Sequence, residues 1–69
     1  MTGTLNLEPN LAMPDEVYEA LVALHRDLTP EQSRLANAKL ILLLVNHVGD
    51  RVVIDAAIAK ARQGLAPAG

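Results

Sequence analysis

The stretch from Leu40 to Val45, Leu-Ile-Leu-Leu-Leu-Val, restricts what this chain can fold into more than any other feature. A helix completes a turn in about 3.6 residues, so six consecutive apolar side chains surround it entirely. A helix apolar on every side must be covered on every side. The whole chain, however, has 69 residues, and a domain of that size buries only about 60% of the surface its unfolded form exposes. Its own core supplies little.

The run reads as helix rather than strand because it is leucine-rich and carries capping signals at both ends. Upstream, Thr29-Pro30-Glu31-Gln32 combines an N-cap hydroxyl, a proline at the first helical position and a Gln three residues after the cap, which is a capping box. Downstream, Gly49 offers a left-handed stop. The second helix is therefore predicted over 30–48, with Leu35 and Ala38 turned inward and Glu31, Arg34 and Lys39 in water. A first helix is predicted over 14–28, where Pro14 suits the opening turn and Asp15 and Glu16 face the positive end of the dipole. Val17, Leu21, Leu24 and Leu28 recur at steps of three and four, with Ala20 on the same side. Almost no linker separates the two helices, so they are expected to fold back as a hairpin. A third is predicted over 50–63, capped by Asp50, with Val53, Ile54, Ala57, Ile58 and Ala61 as its stripe and Gly64 at its end.

Residues 1–13 hold Gly3 and Pro9 among Leu5, Leu7 and Leu11 and fit no helical period of useful length. They read either as an extended arm whose leucines can lie on the body or on a neighbour, or as a frayed terminus. Residues 65–69 read as a tail. The expected fold is all-α: a small three-helix domain with an extended N-terminal arm, associating through the central helix.

Association follows from counting sides. The first and third helices each offer one stripe and together cover two sides of Leu40 to Val45. A third side is left over. Each leucine held in water there forgoes about 2 kcal/mol, a large fraction of a small domain's stability. Two-fold pairing is the commonest way to cover a self-complementary patch, which makes Leu40, Leu42, Leu43 and Leu44 interface candidates. Tyr18 joins them as an aromatic with a polar tip, and Asn37, near the middle of the helix, as an amide able to fix register.

Composition narrows the partners. Hydrophobic residues make up 51% of the chain, but Tyr18 is its one aromatic, and a core of Ala, Leu, Val and Ile suits helices better than a small sheet. Six basic and eight acidic residues are interspersed for a net charge of −2, whereas a nucleic-acid surface needs clustered cations. The absence of cysteine removes disulfides and thiolate metal sites and points to a reducing compartment. With no leader pattern and no apolar run near the ~20 residues that span a bilayer, a cytoplasmic protein without a membrane partner is expected.

The polar groups after the run, Asn46, His47, Asp50 and Arg51, are the best candidates for chemistry. His47 can be read as a metal ligand or base oriented by Asp50. It can equally be read, with Asn46, as closing the last carbonyls of the helix, where a protonated imidazole gains from the dipole. A lone His without a second ligand at metal spacing favours the structural reading, so no metal and no cofactor are expected. Ser33 sits in Gln-Ser-Arg and lacks the Asp-Ser-Leu of phosphopantetheine carriers. Gly-rich phosphate loops and hydrolase or metalloprotease motifs are missing too, and the chain reads as non-catalytic.

Three segments also carry a resemblance: Leu5-Asn6-Leu7-Glu8-Pro9-Asn10, Tyr18-Glu19-Ala20-Leu21, and Asn37 through Asp50 with its Leu-Ile-Leu-Leu-Leu-Val-Asn-His-Val-Gly-Asp ending. Together they resemble a family of short bacterial proteins of unknown function, over nearly the whole chain from the arm to Arg62. In that family an aromatic residue tends to precede the tyrosine; here Val17 does. Some members are thought to be encoded near flavin-dependent aromatic hydroxylases, and the resemblance implies at most an accessory role beside such enzymes.

The functional expectation is a non-catalytic helical interaction protein, either a homodimer or a small accessory subunit docking on a larger metabolic enzyme. The alternative is a small-molecule or metal site at the junction of helices two and three. A DNA-binding regulator ranks last, because the third helix would bring only Arg51, Lys60 and Arg62 against Asp50 and Asp55.

Overall fold

The computed structural model describes residues 3–66. Among them the chain forms three α-helices and no strand: α1 (Pro14–Leu24), α2 (Pro30–Val48) and α3 (Arg51–Arg62). The first two residues of the arm and the last three of the tail lie outside the described residues.

The two C-terminal helices take their limits from side chains legible in the sequence. At the start of α2 the Thr29 hydroxyl accepts from the Gln32 amide at 3.1 Å, and Gln32 Oε1 accepts from the Thr29 amide at 3.0 Å. Both arms of the capping box are made. At its end Gly49 takes φ 68°, a left-handed conformation in which a Cβ would be strained, and its N–H donates to the Val45 carbonyl at 2.9 Å. Asp50 follows at once as the cap of α3, its Oδ1 accepting from the Val52 amide at 2.9 Å and from Val53 at 3.4 Å.

The first helix stops at Leu24, about one turn short of the predicted Leu28. The last turn tightens to i→i−3 bonds, with the His25 and Arg26 amides donating to the Val22 and Ala23 carbonyls, and Thr29 before Pro30 is extended at φ −68°, ψ 161°. The intervening residues unwind through a tight turn in which the Leu28 amide donates to the His25 carbonyl and Asp27 enters the left-handed region at φ 60°. Met13, also left-handed at φ 56°, makes no side-chain cap at the other end of α1. This helix is weakly delimited at both termini.

Packing is open. The helices that meet substantially are α2 and α3, lying against each other across the Gly49 turn. The hairpin expected of α1 and α2 is not closely packed, since α1 approaches neither other helix to a comparable extent. The arm lies along α3, with Gly3 beside Asp50 and Val53 and Leu7 over the far end near Lys60 and Gln63. The radius of gyration is 14.2 Å, against about 11 Å for a compact domain of this length. No described residue is buried. The inward stripes foreseen for the three helices are present as faces, but they do not close into a core.

Candidate functional site

On α2 the residues Ile41, Leu44, Val45 and Val48 recur at steps of three and four, which sets them on one face. That face looks onto Val53, Ala57 and Ile58 of α3 across an apolar groove of about 480 Å³, with Leu5 of the arm at its edge. Leu5 is half-buried there, while Leu7 and Leu11 remain exposed.

The rest of the apolar run faces water. Leu42 and Leu43 are 68% and 69% exposed, although a leucine in a helix has no polar atom to gain by it. Leu40 is half-buried and Leu44 exposed at the groove margin. Leu35 and Ala38, expected to turn inward, are exposed as well. Together with Leu42 they fall at spacings of three and four, a second apolar row roughly a third of the way round the helix from the one facing α3. Asn37 is exposed on α2, outside this row. Tyr18 stands out from α1 at 70% exposure. The interface candidates are thus dispersed: Leu42, Leu43 and Tyr18 are exposed, Leu44 lines the groove toward α3 and Leu40 is half-buried, so they do not lie on one face.

The polar junction is arranged differently from the cluster imagined for chemistry. Asn46 and His47 are both exposed in the last turn of α2, and as neighbours on a helix they diverge by about 100°. Arg51 turns away to pair with Asp55, its Nε 3.1 Å from both carboxylate oxygens, in an exposed i,i+4 contact of small energetic weight. Asp50 is half-buried, and backbone amides occupy its carboxylate: Val52 and Val53 on Oδ1, and Gly3 on Oδ2 at 2.6 Å. The Gly3 bond is the largest influence holding this carboxyl below its ordinary pKa, opposed by partial desolvation and seconded by the Val53 and Val52 amides. Among the described residues no three His, Cys, Asp or Glu side chains converge to hold a metal ion.

Gly3 is the site residue that sequence reasoning passed over. It lies 47 positions from Asp50, and no periodicity or local motif connects an isolated glycine in an arm to an acid at a helix cap. Its importance is steric: a Cβ built there would stand 2.7 Å from Asp50 Oδ2 and 3.0 Å from Val53 Cγ2. The arm reaches the cap because this position has no side chain.

The Leu35, Ala38 and Leu42 row is uncovered, Tyr18 is exposed, and the Asp50 carboxylate accepts from three backbone amides. No described helix is long and apolar enough to cross a membrane. Comparison with known proteins agrees with the resemblance of the sequence in its coarse form: residues 5–63 match the family described as Protein of unknown function (DUF2783), and the chain belongs to that family. No curated protein and no solved structure matches it.

Proposed function

We propose that this member of the family is a non-catalytic interaction protein that presents the apolar face of α2 to another helical surface. The observation that carries the reading is the lack of a core: the accessible surface is 6362 Å², where a compact monomer of 7.4 kDa would expose about 4200 Å². Roughly 2,100 Å² per chain is thus surplus to a closed fold. Part of it is apolar side chain on α2, where Leu35, Ile41, Leu42, Leu43 and Leu44 are all exposed, and exposed apolar patches mark docking sites. The side chains beside it fit a contact role, since Asp50, the best-placed acid, is committed to three amides and Arg51 to Asp55.

The test is Leu42→Asp, read by native mass spectrometry of untagged protein drawn gently from its own cells. Wild-type chain is expected in an assembly heavier than its denatured mass, and the variant at the mass of the single chain or unfolded. An assembly of unchanged mass and stability in Leu42→Asp would remove the α2 face from the function.

A further inference from the structure

The groove between α2 and α3 is apolar throughout: none of the described side chains lining it carries a charge or a hydrogen-bonding group. One of them belongs to neither helix. It is Leu5 of the arm, which the structure already sets at the groove's edge. We propose that residues 3–7 are a strap poised to close this groove within one chain, with Gly3 latched on Asp50 as its fixed end and Leu5 as the side chain that seats. A closed strap covers the groove from inside the chain and leaves the outer row of α2 as the apolar face on offer, whatever that row contacts.

The fixed end comes first. The Gly3 amide donates to Asp50 Oδ2 at 2.6 Å, and the missing side chain lets the backbone come up against Val53, itself part of the groove wall. The arm therefore starts where the groove does.

The pitch of the two segments then brings Leu5 to the seat. Residues 3–7 contain no helix, turn or bend. Extended chain advances about 3.3 Å per residue and puts every second side chain on the same side, whereas a helix rises about 1.5 Å per residue, so two residues of arm keep step with about four of α3. Counted from Gly3 beside Val53, Leu5 falls level with Ala57 and Leu7 with Ala61, and all three arm positions share one side. The surroundings agree. Ala57 and Ala61 border the groove together with Leu5, and Leu7 lies by Lys60 and Gln63 at the far end.

The seat also has room. Ala57 and Ala61 leave α3 shallow where Leu5 arrives, and Ile41 and Leu44 of α2 form the facing wall. Leu5 is only half-buried beside about 480 Å³ of groove, so it can move inward. That movement takes apolar surface out of water and strands no polar side chain, since none lines the groove.

The chain contains no cysteine, so a single thiol at Ala57→Cys reports on the groove without interference. Its rate of modification by N-ethylmaleimide is read in the full-length chain and in the same chain unfolded in urea, with helical circular dichroism followed on each folded sample. The expected result is slow labelling that Leu5→Ser accelerates several-fold, that Gly3→Ala accelerates in the same direction, and that Leu7→Ser leaves unchanged. A thiol as reactive in the folded chain as in urea would mean a groove that stays open, and would overturn the strap. Protection indifferent to both Leu5→Ser and Gly3→Ala would assign the cover to something other than the arm, and protection that fades on dilution would assign it to a second copy; either overturns closure within one chain. If Leu5→Ser loses its helices, Gly3→Ala decides, because it displaces the arm while keeping every side chain of the groove. The outer row of α2 is read separately by Leu42→Asp, so the strap and the docking reading can fail independently.

Discussion

At the scale of single residues the telling contact is Gly3 on Asp50, because one carboxylate serves two purposes. Its Oδ1 caps α3 and its Oδ2 holds the arm, so the arm is fastened to the same atom group that starts the helix. Gly3→Ala would place a methyl 2.7 Å from Oδ2, and something must move. Since the Val52 and Val53 amides keep the carboxylate in place, the arm is expected to move: faster amide exchange and proteolysis before Pro14, with helical circular dichroism nearly unchanged. Equal protection of the arm in the variant would show that Leu5, not Gly3, secures it. The same bond sets a pH dependence. Asp50 is lowered on folding, so its contribution is complete above the unfolded carboxylate value of about 4 and is lost as pH falls through the lower folded value. The Gly3 amide resonance should therefore be constant from neutral pH to about 4 and move upfield only below it, as protonation weakens the acceptor. A midpoint above that value would reverse the sign and contradict the geometry.

At the scale of elements, what the sequence declares is what can be settled within a few residues. The capping box at Thr29, the left-handed Gly49 and the Asp50 cap all act over three or four positions, and α2 begins and ends, and α3 begins, where those residues place them. The early end of α1 was harder to read because its apolar period continues to Leu28 while Asp27 turns into the left-handed region. Here the backbone leaves the helix inside the span the side-chain pattern marks out. The Gly3–Asp50 contact and the outward turn of Leu35 and Ala38 were illegible for another reason: both depend on which surfaces meet, and periodicity says only which residues share a face. The capping box permits a measurement. Thr29→Ala removes the oxygen that satisfies the Gln32 amide and should lower stability by about 1 kcal/mol in chemical denaturation, while Thr29→Ser, which keeps the oxygen, should lose only a fraction of that. Equal losses in the two variants would assign the effect to the methyl group rather than to the cap.

At the scale of the whole molecule, the proposed association ties stability to concentration wherever a chain unfolds as it leaves its partner. A compact monomer melts at the same temperature however dilute it is, because folding and unfolding are both unimolecular; a pair whose partners unfold as they separate obeys mass action instead. For a pair of these chains, tenfold dilution shifts the balance by about 1.4 kcal/mol. Against an unfolding entropy of about 2.1 cal/mol/K per residue over two chains, that lowers the midpoint by roughly 5 °C. The shift is several times what thermal melts resolve, and it needs no variant. Melting followed by circular dichroism over a hundredfold range of concentration should therefore fall by roughly 10 °C along a line in the logarithm of concentration. A midpoint that stays fixed would mean the chain stands alone, and the uncovered row of α2 would then have to be closed by rearrangement within one copy, with α1 swinging onto Leu35 and Leu42.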